Sequence, residues 1–157
     1  MEISRPSWDE YFMAIAHKVK DRSTCLSRQT GSLLIKDKRI ISTGYNGTPT
    51  GLLHCNEGGC PRCGERIKGL IESGKDLDKC TCCHAEENTI VQAALHGIST
   101  KDTILYTTNA PCTQCAKMVI NAGIKKVVTD ESYPDTLGLE LLKNAKIEVF
   151  TIKLKTF

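Results

Sequence analysis

HAEENTIVQAALHGISTKDTILYTTNAPCTQCAKMVINAGIKKVVTD, His84 to Asp130, is the stretch whose reading decides the fold. Ala85 to His96 reads as a helix that ends at Gly97, and Thr103 to Thr107, rich in β-branched and aromatic residues, reads as a strand. A second helix follows from Cys112 to Asn121, ended by Gly123, and a second strand from Lys126 to Thr129. Working outward, Trp8 to Lys20 carries Trp8, Phe12, Ile15, Ala16 and Val19 at spacings of three and four, the pattern of an amphipathic helix, with Ser7 placed to cap it. SLLI (Ser32 to Ile35) and RIISTGY (Arg39 to Tyr45) flank KDK, which reads as a hairpin. On the far side lie a helix from Asp135 to Asn144 and a strand from Ile147 to Thr151. The closing KIEVFTIKLKTF alternates charge with hydrophobes as a half-buried strand does. Strands alternating with helices imply an α/β fold, a mixed five-stranded sheet with helices on both faces.

The intervening segment, Asn46 to Lys79, is glycine-rich and holds His54, Cys55, Cys60 and Cys63. It reads as a long loop, and a loop of that length in a compact domain is functional or pinned. With 157 residues the chain fits a single domain, 1–157, with a Cys-rich insertion around 46–83. The balance of 21 basic against 18 acidic residues, net +3, is too even for a polyanion-binding surface and argues against a nucleic-acid partner. The opening MEISRPSWDEYFMAIAHKVKD lacks a charged region followed by an apolar core, and no run approaches the ~20 apolar residues of a membrane span. A cytoplasmic location and no membrane partner are therefore expected.

In a reducing compartment disulfides are rare, so nine cysteines, most of them crowded between Cys55 and Cys115, point to metal, zinc first. Cys112 and Cys115 are three apart at a helix start, so both sulfurs lie on one face, where the positive end of the helix favours thiolates. Pro111 suits such a helix start because its φ is fixed and it has no N–H to leave unpaired. With His84 they make three protein ligands, and the fourth tetrahedral position stays open for water, as in catalytic zinc. Glu86 is badly placed to be a further ligand beside His84 but can reach that water and take its proton.

H-x-E followed by P-C-x-x-C is the signature of zinc nucleobase deaminases. Through SWDEYFMAIA, ISTGYNGTPTGL, HAEENTI, APCTQCAKMVINAGIKKVV and Tyr133, the chain resembles the deoxycytidylate (dCMP) deaminases of the zinc-dependent cytidine/deoxycytidylate deaminase family over essentially its whole length. GYNGxPxG, here Gly44 to Gly51, separates them from relatives acting on tRNA adenosine, cytosine or cytidine. The resemblance implies a cytidine-deaminase-like three-layer αβα fold. It implies catalytic zinc on His84, Cys112 and Cys115, with Glu86 as proton shuttle in hydrolysis of dCMP to dUMP and ammonia, for thymidylate supply. It further implies activation by dCTP and inhibition by dTTP, each with Mg2+, and a homo-oligomer, commonly a hexamer.

The resemblance also implies a structural zinc, with four of Cys25, Cys55, Cys60, Cys63, Cys80 and Cys82 as candidate ligands and His54 in the same region; Cys83 reads as packing. Asn46, Tyr133 and Arg28 are candidate substrate contacts, Arg28 for the phosphate. Asn46 followed by glycine is equally a turn signal, Tyr133 equally a core residue, and Arg28 equally a solvated one. His17 and His96 read as surface or capping residues. The alternatives are deamination of another cytosine compound or of a base in nucleic acid, or a non-catalytic zinc protein that binds nucleic acid.

Overall fold

The computed structural model describes residues 4–131 and 136–154. In chain order the elements are α1 (Trp8–Lys20), β1 (Gly31–Lys36), β2 (Arg39–Tyr45), α2 (Pro61–Ile67), α3 (Ala85–Leu95), β3 (Ile104–Asn109), α4 (Thr113–Asn121), β4 (Lys126–Glu131), α5 (Thr136–Asn144) and β5 (Glu148–Thr151). The strands form one sheet in the order β2-β1-β3-β4-β5. β1 is antiparallel to both β2 and β3, whereas β3, β4 and β5 run parallel. This is the mixed five-stranded sheet that the alternation of elements predicts. Among the described residues no helix is long and apolar enough to cross a membrane.

Each layer follows from local chemistry. Ser7 closes a capping box on α1: its hydroxyl accepts from the Glu10 N–H while the Glu10 carboxylate accepts from the Ser7 N–H at 2.8 Å. The β1–β2 hairpin turns on Asp37 and Lys38, both in the left-handed region that a two-residue hairpin requires. One sheet face packs Leu33, Ile35, Tyr106 and Val128 against Phe12, Met13 and Ala16 of α1. The other packs Leu34, Leu105 and Val127 against Ala93 of α3, Ala116 and Val119 of α4, and Leu142 of α5. Each fully buried Leu or Val in these layers contributes about 1.5–3 kcal/mol.

Four expectations need adjusting. The segment from Asn46 to Lys79 is not one loop, because it holds α2 and two short 3-10 turns, Cys55–Glu57 and Leu77–Lys79. Pro61 at the first helical position starts α2, and seven residues are too few to show a period in the sequence. β3 runs two residues beyond Thr107, because Thr108 and Asn109 are polar yet buried, and Asn109 pairs with Glu131. α4 starts at Thr113, with Cys112 as its cap, so Pro111 stands one residue outside the helix turn it was expected to form. His17 is not a plain surface group, since its Nε2 lies 2.6 Å from the Asp130 carboxylate.

Gly44 fixes where α3 begins relative to the sheet. A Cβ there would lie 2.3–2.5 Å from Thr89 Oγ1, Thr89 N and Ala85 O, so the first turn of α3 rests directly on β2. Gly44→Ala is expected to lower stability by about 1–3 kcal/mol in urea unfolding; a curve superimposing on that of the parent protein would show that α3 retreats from β2 at no cost.

Candidate metal centre and active site

The structure brings His84, Cys112 and Cys115 together at the starts of α3 and α4. His84 is the cap residue of α3, with extended backbone and its N–H donated to the Glu87 carboxylate at 3.0 Å. Cys112 is the cap residue of α4, and Cys115 lies one turn further on the same face. His84 Nδ1 is 3.3 Å from Cys112 Sγ and 3.4 Å from Cys115 Sγ. A tetrahedral zinc with usual Zn–N and Zn–S bonds separates such atoms by about 3.5 Å, so the spacing fits one ion. The donor set, one imidazole and two thiols, is the borderline-soft set zinc prefers.

Proton affinities within the trio are skewed in the sense a shared cation would relieve. A hydrogen bond from Cys115, assisted by His84, pulls Cys112 down to about 4, and the resulting thiolate pushes His84 up to about 9. Cys115, beside the Cys112 sulfur and buried, is pushed up. The residues that would coordinate zinc form a graded site, with His84 exposed, Cys112 half-buried and Cys115 buried.

Glu86 forms the floor. It is buried, its Oε1 accepts from Thr107 Oγ1 at 3.0 Å, and its Oε2 lies 3.7 Å from Cys115 Sγ. Burial raises its pKa, opposed by its own backbone N–H, the charge on His84 and the Thr107 hydroxyl. A buried carboxyl with its proton affinity raised, aimed at a metal-type cluster, is a candidate general acid and base. Thr107 and nearby Asn109, whose carbonyl oxygen lies 3.0 Å from Thr107 Oγ1 and shares its one O–H with Glu86, went unnoticed in the sequence. Their signal was available: successive polar residues at the end of an otherwise apolar strand have to find partners when buried.

The six further candidate cysteines also converge. Cys25, Cys55, Cys63 and Cys82 form one group of four, and Cys60, Cys63, Cys80 and Cys82 another. All are free thiols, and the recorded Sγ separations are 3.8–4.0 Å. His54 is exposed and lies outside both groups. Cys83 instead pairs its backbone with Gly47, which ties the loop after β2 to the residue before His84.

Asn46 is committed largely to the fold. Its Oδ1 accepts from Thr30 N and Ser23 Oγ at 2.8 Å each, and its Nδ2 donates to the Arg28 carbonyl at 2.6 Å. The amide carries one further N–H that a ligand could engage. The Arg28 side chain is exposed. Tyr133 lies outside the described residues.

Residues 6–131 match the family model described as the cytidine and deoxycytidylate deaminase zinc-binding region. The chain is 43% identical over 146 residues to deoxycytidylate deaminase of Schizosaccharomyces pombe, covering 92% of this chain and 44% of the relative. It is 40% identical over 148 residues to deoxycytidylate deaminase of Saccharomyces cerevisiae, covering 94% of this chain and 45% of the relative. The chain thus spans less than half the length of these two relatives. Among solved structures, dCMP deaminase from cyanophage S-TIM5 in complex with dCMP and dUMP superimposes with a TM-score of 0.77 at 29% identity, covering 96% of this chain and all of that one.

Cys112→Ser is expected to lower bound zinc by one equivalent per chain, measured by inductively coupled plasma mass spectrometry, with the circular dichroism spectrum retained. Unchanged metal content would separate this cluster from metal binding.

Proposed function

The chain belongs to the cytidine and deoxycytidylate deaminase family, and on that premise we propose that it hydrolyses dCMP to dUMP and ammonia. The observation that carries the reading is the buried Glu86 carboxyl held by Thr107 against the His84, Cys112 and Cys115 trio. Support for the substrate comes from the fungal relatives named deoxycytidylate deaminase and from the similar cyanophage enzyme described with dCMP and dUMP.

In this reading His84, Cys112 and Cys115 hold a zinc ion, which when bound supplies a Lewis acid that brings the pKa of water towards about 7. Glu86 accepts the proton of the attacking water as oxygen bonds to C4 of cytosine, and passes it to ring N3. It then takes the remaining proton from the new C4 hydroxyl and delivers it to the exocyclic amine, so that the C4–N bond breaks, the C4 carbonyl forms and ammonia departs. Thr107 holds Oε1, which leaves Oε2 facing the metal trio and fixes the carboxyl in one orientation. The exposed side at His84 is the route for the nucleotide. Asn46, Arg28 and Tyr133 are assigned to nucleoside and phosphate contacts within this reading.

The same proposal takes residues 1–157 as one deaminase domain whose insertion around 46–83 is pinned by structural zinc. It includes activation by dCTP and inhibition by dTTP with Mg2+, a homohexamer, and a cytoplasmic role in dTTP supply.

Purified protein is expected to release ammonia from dCMP faster than from CMP, deoxycytidine or cytosine; a preference for another member of that panel would replace the substrate. Glu86→Gln is expected to lower kcat by roughly 10²–10⁴-fold with zinc retained, and full activity in that variant would remove the mechanism. Thr107→Val is expected to lower kcat about tenfold, the worth of one hydrogen bond to a charged group; an unchanged kcat would show that Glu86 needs no anchor.

A further inference from the structure

Six of the seven cysteines outside the active site make two fourfold groups that share an edge. Cys63 and Cys82 belong to both groups, Cys25 and Cys55 only to the first, and Cys60 and Cys80 only to the second. Within each group all four sulfurs lie within 4.8 Å of one another. Zn–S bonds of about 2.3 Å give a tetrahedron with S···S edges of about 3.8 Å. The recorded separations match: 4.0 Å for Cys25 to Cys63, 3.8 Å for Cys60 to Cys80 and 3.9 Å for Cys63 to Cys80. Disulfides would need about 2.05 Å, and all six are free.

We propose that these six cysteines hold two zinc ions in edge-sharing tetrahedra, with Cys63 and Cys82 as bridging thiolates and the other four as terminal ones. This rests on reading the cluster as a metal site and is independent of the chemistry at Glu86.

A single ion would use four sulfurs and leave two further thiols in the same packed cluster without a role. Two ions use all six. Six thiolates against two dications carry a net charge of two minus, the same as one four-thiolate site, so the second ion adds no net charge to the interior. The recorded backbone donor to the cluster falls on a terminal sulfur: the Leu26 N–H lies 3.4 Å from Cys55 Sγ. A terminal thiolate, bonded to one cation, keeps more negative charge than a bridging one bonded to two, and so gains more from an N–H.

All four positions of each ion would be closed by protein, which makes the pair structural. It would fasten the residues after α1, the turn at Cys55, the start of α2 and the strand-like run before α3 into one unit. Cys82 is both a bridge and the residue two before His84, so the cluster would also anchor the approach to the catalytic histidine.

The test is made in full-length His84→Ala, which removes a ligand of the active-site ion, so that the cluster is counted alone and failure here leaves the deaminase reading standing. Metal analysis is expected to find two zinc ions per chain, and one per chain would overturn the proposal. After exchange with ¹¹³Cd, proton–cadmium correlation spectra should join the β-protons of Cys63 and Cys82 to two cadmium signals each, and those of the other four cysteines to one each. Should His84→Ala fail to fold, the same spectra on the unaltered protein should show three cadmium signals with the same sharing. A spectrum in which every cysteine couples to a single cadmium would overturn the bridge. Cys82→Ser should lose both cluster ions and Cys25→Ser only one; equal losses would contradict the assignment of bridging and terminal roles.

Discussion

Two helix starts meet so closely that His84 Nδ1 lies 3.3 Å from Cys112 Sγ and 3.4 Å from Cys115 Sγ, and the rest of the molecule is arranged so that they do. α1 is capped in the ordinary way, by a serine hydroxyl that accepts a backbone N–H. At α3 and α4 the cap positions are His84 and Cys112, in place of the hydroxyl and carboxylate residues that ordinarily cap a helix. Such a substitution costs about 1 kcal/mol of helix stability at each end. It leaves N–H groups and the positive ends of two helices facing the same small volume, where anionic sulfur is favoured. Sequence preference and local stability part company here, as they do at functional sites.

The sheet supplies the convergence. β3 ends in Thr107, Thr108 and Asn109 and leads through Ala110 and Pro111 to the cap of α4, while Gly44 of β2 lets the first turn of α3 rest on the sheet. Gly138 of α5 does the same for the other helix: a Cβ there would lie 2.9 Å from the Pro111 carbonyl, so α5 closes against the turn that presents Cys112. The antiparallel hairpin on one side and the parallel strands on the other therefore meet at β3, beside His84, Cys112 and Cys115. Glu86 projects into the same place and is held from the strand by Thr107, so its carboxyl and the three side chains share one frame.

How far the sequence could be read followed from the range of each signal. α1, β2 and the two helix starts were legible because their cues, a capping serine, a three-four apolar period and ligands three apart, act within one turn of chain. α2 was hidden because a seven-residue helix inside a glycine-rich tract has neither period nor apolar face to show. The membership of the cysteine cluster was legible, since all six candidates converge, but its division was not: that Cys63 and Cys82 belong to both groups depends on how residues 25, 55, 60, 63, 80 and 82 fold onto one another. Asn46 illustrates a cue with two meanings, for the amide that could meet a ligand also ties Ser23, Arg28 and Thr30 to the end of β2.

The convergence of the two helix starts on one cation is most directly tested by anomalous diffraction at the zinc edge from crystals grown with the metal. A peak about 2.0–2.1 Å from His84 Nδ1 and about 2.3 Å from the Cys112 and Cys115 sulfurs, with the Glu86 carboxylate beyond bonding distance, is the expected map. A map without density between those three atoms, or with Glu86 closing the site as a fourth ligand, would contradict it.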